Sequence, residues 1–167
     1  MLEIHRSAVI SDCGRYRYLL SRWWGPRPRI LFVMLNPSTA NALKDDNTIK
    51  RCIQFAMDWG YDGFDVVNLY ALRSKNPKAL LVEAEPVGPE NDAFIRDAVR
   101  RCPVVVCAWS SHKAVKARRE PVLRILRDAG VKPMCLKLAK KGKGEPWHPL
   151  YLRSDLRPFP LSEAVAG

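Results

Sequence analysis

Residues 30–41 read ILFVMLNPSTAN and join an uninterrupted apolar segment to a cluster of small polar residues. The apolar segment predicts a buried strand of a parallel sheet. The pair Asn36-Pro37 ends this strand, because proline has no backbone N–H to donate to a neighbouring strand. Ligands of open α/β sheets bind beyond the carboxyl ends of the strands, so we place the candidate site around Asn36.

Further strands and helices follow along the chain. Three more apolar segments predict core strands, and they span residues 64–70, 103–109 and 131–136. Helical periodicity, capping residues and glycine stops predict the intervening helices, at residues 45–59, 77–81, 90–101 and 113–129. This alternation of strands and helices predicts an α/β domain with a mainly parallel sheet of about four strands.

The N-terminal part of the chain has a different pattern. Two loosely alternating segments, at 7–11 and 15–20, flank the turn Asp12-Cys13-Gly14 and predict a β-hairpin. We therefore predict a single α/β domain over 1–167, made of an N-terminal hairpin (1–28), a core (29–153) and a proline-rich tail (154–167).

The composition restricts the classes of function. The chain has 167 residues and a formal net charge of +11, which favours a polyanionic partner such as nucleic acid over a purely solvated basic surface. Its five cysteines show no CxxC spacing and indicate reduced thiols in a cytoplasmic protein. No apolar segment approaches the length of a membrane span or of a secretory signal.

Three polar positions follow predicted strands or lie near their ends: Asn36, Asn68 and His148. Because parallel strands end at the same edge of a sheet, we expect the three side chains to converge. Each has a simpler explanation: Asn36 shapes the turn before Pro37, Asn68 satisfies a neighbouring backbone group, and His148 packs beside Trp147. The acidic pair Asp45-Asp46 is interpreted as the start of a helix rather than as an acid/base pair.

Three longer motifs resemble those of the DUF1643 family, whose activity is not established. These motifs are Cys13-Gly14-x-Tyr16-Arg17-Tyr18-Leu19, Leu35-Asn36-Pro37-Ser38-Thr39-Ala40 and His148-Pro149-Leu150-Tyr151-Leu152. The resemblance extends over nearly the whole chain.

The order of the motifs also resembles the uracil-DNA glycosylase superfamily. In that superfamily the first core strand ends in an acidic residue or asparagine followed by proline, as in Asn36-Pro37, and a His-Pro motif, as in His148-Pro149, lies near the C-terminus. Asn68 lies where one branch places a base-reading asparagine. The resemblance implies a three-layer α/β/α sandwich with a mainly parallel four-stranded central sheet, uracil-DNA-glycosylase-like, plus the N-terminal β-hairpin.

The same resemblance implies roles for individual residues. Asn36 and His148 are the implied catalytic residues: Asn36 orients the attacking water, and His148 stabilises the negative charge of the leaving base. An asparagine cannot act as a base. The implied base-binding residues are Asn68, Pro37, Ser38 and Trp109.

Basic residues and two residues after His148 complete the predicted site. We expect the basic residues to contact phosphates, and Tyr151 or Leu152 to fill the gap left by a flipped base. The predicted nucleic-acid-binding residues are Lys113, Lys116, Arg118, Lys140, Lys141, Lys143, Tyr151 and Leu152.

The resemblance implies a uracil-DNA-glycosylase-like function, that of an N-glycosidase acting on a modified or deaminated base in nucleic acid, DNA rather than RNA. Two alternatives stay open: a nucleic-acid or nucleotide binding protein without catalysis, and an N-glycosidase acting on free nucleosides. The sequence indicates no metal, no other cofactor and no membrane partner, and it leaves open the oligomeric state and whether the protein is catalytic at all.

Overall fold

A computed structural model describes residues 2–139 and 144–161. Within them, seven strands form one mixed sheet in the order β1-β2-β4-β3-β5-β6-β7. The strands are β1 (His5–Ile10), β2 (Arg17–Trp23), β3 (Ile30–Met34), β4 (Gly63–Asn68), β5 (Val105–Cys107), β6 (Pro133–Cys135) and β7 (Phe159–Pro160). The helices are α1 (Asn47–Asp58), α2 (Ala79–Val82), α3 (Asn91–Arg101), α4 (Val115–Asp128) and a 3₁₀ helix (Pro149–Tyr151).

The prediction of a four-stranded sheet of the uracil-DNA glycosylase type is wrong, whereas the α/β class is confirmed. Strands β4, β3, β5 and β6 run parallel, but β1 and β2 continue the sheet antiparallel beyond β4, and β7 continues it beyond β6. The added strands pair with backbone groups at the edges that a four-stranded sheet would leave open. The hairpin is therefore part of the central sheet.

Gly63, at the start of β4, allows β2 to approach closely. A Cβ atom placed on Gly63 would lie 2.6 Å from the backbone oxygen of Arg22 in β2. A glycine inside a strand often marks such a close backbone approach. This residue is the local sign in the sequence that another strand pairs with β4.

Helices cover both faces of the sheet. All five residues of β3 are buried, as expected for a central strand. Leu31 and Val33 pack in the cluster that contains residues of α3 and α4, whereas Phe32 and Met34 pack on the other face with residues of α1. None of the helices in the described part of the chain has the length and apolar character needed to cross a bilayer.

Helix α1 begins at the edge of the sheet where β3 and β4 end. The Oδ1 atom of Asp46 accepts a hydrogen bond from the backbone N–H of Ile49 at 2.9 Å and caps the helix. The 3₁₀ helix that follows His148 packs against α1. The start of α1 and the segment around His148 therefore lie at the same edge of the sheet.

A buried ion pair ties β2 to the loop before α1. The Arg22 side chain is fully buried, and its Nε donates to Oδ1 of Asp45 at 2.7 Å. Its Nη2 donates to the backbone oxygen of Asn41 at 2.6 Å. Because buried charges require partners, these contacts fix the 41–46 loop relative to β2.

Candidate functional site

A small, partly open cavity of about 70 Å³ lies at the carboxyl ends of β3 and β4. Segments that are far apart in the sequence contribute to its wall, which is why no single motif defines it. Its polar lining residues are Arg17, Asn36, Ser38, Asp46, Thr48, Asn68 and His148, and its other lining residues are Met34, Pro37, Ile49 and Val66. The structure therefore brings together Asn36, Asn68 and His148, while their functional roles stay predictions.

The amide nitrogen of Asn36 fixes the loop that follows β3. It donates to the backbone oxygens of Pro37 at 3.1 Å, Leu72 at 3.3 Å and Ser74 at 3.0 Å. The backbone N–H of Ser74 donates in turn to the oxygen of Pro37 at 2.9 Å. Asn36 therefore shapes the turn, as its simpler explanation proposed, and also presents its side chain to the cavity.

Asn68, at the end of β4, faces Met34 of β3 in the parallel register. The residue is only 2% exposed, and its Nδ2 atom has no acceptor among the described residues. Buried amide nitrogens are normally hydrogen-bonded, so this donor is an exception that calls for an explanation.

His148 precedes the 3₁₀ helix and caps it. Its Nδ1 atom accepts from the backbone N–H of Leu150 at 3.2 Å, so the neutral ring carries its proton on Nε2. Burial lowers the pKa of His148 below its usual value, an effect that the negative charge of Asp46 partly opposes. His148 is therefore neutral at pH 7 and has an N–H to donate through Nε2.

Asp46 lines the cavity as well as capping α1. The sequence explained this residue as a helix start, and that explanation is correct for its Oδ1 atom. Its carboxylate also acts electrostatically on His148 and Arg17. The site therefore has a carboxylate that sequence reasoning missed, because a good N-cap residue gives no separate sign of a second role.

Arg17, from β2, is the second group that sequence reasoning missed. It is 3% exposed, and its Nη1 atom donates to the backbone oxygen of Ala40 at 3.1 Å. Its Nε atom has no acceptor among the described residues. Burial lowers the pKa of Arg17 to about 10, which leaves it a cation at neutral pH. Arg17 belongs to a motif that the sequence shows, Tyr16-Arg17-Tyr18, but the place of this motif in the predicted hairpin gives no reason to assign it to the site.

Three predicted residues lie away from the cavity. Trp109 is fully buried on the α3/α4 face, where its Nε1 donates to Glu145 at 2.6 Å. Leu152 is buried in the cluster that contains α1, so it is not exposed to enter a gap between bases. Tyr151 is 86% exposed and is free to contact a partner.

The predicted basic residues fall into three groups. Lys113 and Lys116 line a separate surface groove of about 490 Å³, which Arg119 and Glu145 also line. Arg118 is buried: its Nε donates to the backbone oxygen of Leu69 at 2.9 Å, and it pairs with a carboxylate of α3. These contacts hold Arg118 inside the protein, away from the surface on which a phosphate would bind. The predicted residues Lys140, Lys141 and Lys143 lie outside the described residues.

Across 2–139 and 144–161, no three His, Cys, Asp or Glu side chains lie close enough together to hold a metal ion.

The fold and the cavity define a class: an α/β protein with a small site, lined by hydrogen-bonding and charged groups, at the ends of two parallel strands. The chain belongs to the DUF1643 family, described as a protein of unknown function, which matches residues 17–150. This span includes Arg17, Asn36, Asn68 and His148. A search of curated proteins and a search of solved structures each found no match.

The substitution Asn36→Asp tests the loop anchor. A carboxylate cannot donate to the three backbone oxygens and is repelled by them, so we expect the free energy of unfolding to fall by about 3 kcal/mol. Asn76→Asp is the matched control, because the exposed Asn76 accepts from the N–H of Lys78 at 3.0 Å, a bond that a carboxylate keeps. Denaturant unfolding measures both, and equal losses for the two variants would contradict the anchoring role.

The pH dependence of stability tests the environment of His148. Its pKa is lower in the folded protein than in the unfolded chain, so the unfolded chain binds the proton first as the pH falls. The wild type should therefore lose more stability than His148→Asn between pH 7.5 and pH 5.5, and the asparagine still offers an acceptor to Leu150. The control His112→Asn keeps His148 and its contribution. Identical losses in the wild type and His148→Asn would show that burial does not lower the pKa of His148.

Proposed function

We propose that the protein is an N-glycosidase that hydrolyses the bond between a nucleobase and its sugar. One observation carries the proposal: one small cavity is lined by a buried cation, a carboxylate, a neutral imidazole and an amide whose nitrogen has no acceptor among the described residues. These groups come from Arg17, Asp46, His148 and Asn68. They suit a reaction that separates negative charge on the base from positive charge on the sugar.

The chemistry assigns complementary roles to these groups. As the bond from C1′ to the base nitrogen breaks, its electron pair goes to the base, and water forms the new bond to C1′. The Nε2–H of His148 donates to the base as negative charge develops. The carboxylate of Asp46 stabilises the positive charge on the sugar and takes a proton from the water. The proton then goes to the base, and the products are the free base and the sugar hydroxyl.

Asn36 has an indirect part in this scheme. Its amide nitrogen is held by three backbone oxygens, which orients its side-chain oxygen. That oxygen accepts a hydrogen bond from the attacking water and positions it, while Asp46 takes the proton that an asparagine cannot accept.

Entry of a base requires movement of the cavity wall. At about 70 Å³, the cavity is smaller than the roughly 300–1,000 Å³ of ordinary ligand sites. His148 lies on a short segment between the Leu138–Pro146 bridge and the 3₁₀ helix, and outward movement of this segment would enlarge the cavity. A base in nucleic acid would also have to leave its stack.

The partner in this proposal is nucleic acid, and the location is the cytoplasm. The net charge of +11 favours a polyanion, and Lys113 and Lys116 line a groove able to contact phosphates. Cys13 is an exposed free thiol, and the other four cysteines are buried free thiols, which suits a reducing compartment.

A base-release assay tests the proposal. Oligonucleotides and nucleosides carrying uracil, hypoxanthine or larger modified bases are incubated with the protein, and free base is measured by chromatography. We expect release from at least one substrate and a loss of about 100-fold or more in Asp46→Asn, because the amide cannot take the proton. Asp46→Asn keeps an oxygen to cap α1, and the exposed Asp58→Asn at the end of α1 is the matched control.

The outcomes separate the open alternatives. Release from nucleosides alone would identify a metabolite enzyme. Binding of bases without release from any substrate would favour a binding protein and overturn the N-glycosidase. Equal rates for Asp46→Asn and the wild type would exclude the role given to Asp46.

A further inference from the structure

Arg17 is a buried cation with few partners. A guanidinium has five N–H donors, yet within the described part of the chain the Arg17 side chain makes one hydrogen bond, from Nη1 to the backbone oxygen of Ala40. No carboxylate of the described residues lies within 4.0 Å of it as an ion-pair partner. Buried charges are normally paired, so this arrangement favours a ligand that brings the missing acceptor.

A second unpartnered donor lines the same cavity. The Nδ2 atom of Asn68 and the Nε atom of Arg17 are both buried and both lack an acceptor within the described part of the chain. Two buried donors without acceptors cost stability. Buried polar groups normally have a hydrogen-bond partner, so both donors need an explanation. An oxygen-bearing group inside the cavity would satisfy them together.

We propose that Arg17 and Asn68 bind the oxo edge of the departing base, and that Arg17 is a catalytic residue that stabilises the negative charge on that edge. This inference rests on the proposed N-glycosidase function. When the bond from C1′ breaks, the electron pair passes into the ring and is shared with the oxo oxygen. The charge of Arg17 interacts more strongly with that oxygen in the transition state than with the neutral base.

The substrate class follows from the donors. Arg17 and the amide nitrogen of Asn68 offer N–H groups only, so an oxo group accepts from them, whereas an exocyclic amino group places N–H against N–H. The site therefore selects oxo bases, such as uracil and hypoxanthine, over their amino counterparts cytosine and adenine. A site built to hydrogen-bond one group rejects an analogue that leaves its buried donors unpaired.

Calorimetric titration with free bases tests the recognition. Uracil is compared with cytosine, and hypoxanthine with adenine, on the full chain. The wild type should bind the oxo base at least about tenfold more tightly, and Arg17→Met should reduce this preference to less than about threefold. Arg124→Met, which removes an exposed arginine, is the control and should keep the preference. Equal affinities in the wild type, or a preference that survives Arg17→Met, overturn the inference.

A second variant tests the same point without removing the buried cation. Asn68→Asp replaces a donor by a carboxylate that is able to pair with Arg17 in the same cavity. Its oxygens accept from an amino group, so we expect the preference to move toward the amino bases. An unchanged preference overturns the inference.

The catalytic part is tested by the acidity of the leaving base. Release is compared for uracil and for the more acidic 5-fluorouracil. Without Arg17 the departing base carries more uncompensated charge, which slows the release of uracil more than that of 5-fluorouracil. The ratio of the 5-fluorouracil rate to the uracil rate should therefore rise several-fold in Arg17→Met. A merely structural role would lower both rates equally, and an unchanged ratio overturns the inference while leaving the N-glycosidase standing. Tight oxo-base binding that depends on Arg17, without any release, would instead overturn the hydrolytic function.

Discussion

The amide of Asn36 holds the edge of the sheet on which the candidate site depends. By donating to the backbone oxygens of Pro37, Leu72 and Ser74, it ties the loop after β3 to the chain that follows β4. These two segments carry the carboxyl ends of adjacent parallel strands, where an open α/β sheet forms its ligand sites. The Asn36 side chain thus holds together the two segments that follow β3 and β4. Other elements contribute the remaining lining groups of the cavity.

Opposite charges reach the cavity from different directions in the chain. Strand β2 supplies Arg17, and the residue that caps α1 is Asp46; the two act on each other electrostatically without forming an ion pair. In a partly buried site the interactions of such charges are stronger, because water screens them less than it does at the surface. In the proposed reaction, this separation provides a charge of each sign for the charges that develop on the base and the sugar. The negative charge of Asp46 also opposes the lowering of the Arg17 pKa by burial.

The sequence predicted the parts of the structure that are determined locally. Continuous apolar segments predicted β3, β4, β5 and β6. The expectation that polar residues following parallel strands converge predicted that Asn36, Asn68 and His148 lie close together. Arg17 could not be assigned, because the pairing of β2 with β4 is a long-range contact of which Gly63 gives only an indirect local sign. The place of Asp46 in the site could not be predicted, because its role as the N-cap of α1 fully accounts for an aspartate at that position. Trp109 was predicted from a motif, and the structure places it on the face of the sheet that α3 and α4 cover, away from the cavity.

The central claim is that the donor groups of this cavity bind a nucleobase, and the side-chain amide of Asn68 reports on it most directly. Its ¹H–¹⁵N signals are followed by NMR during titration with uracil and hypoxanthine, with the exposed amide of Asn76 as the reference. The Asn68 signals should shift as its N–H groups, which have no acceptor among the described residues, gain one, with the same affinity that calorimetry measures, while those of Asn76 stay in place. Asn68 signals that do not move at saturating base would contradict the account, because the base would then bind elsewhere or not at all.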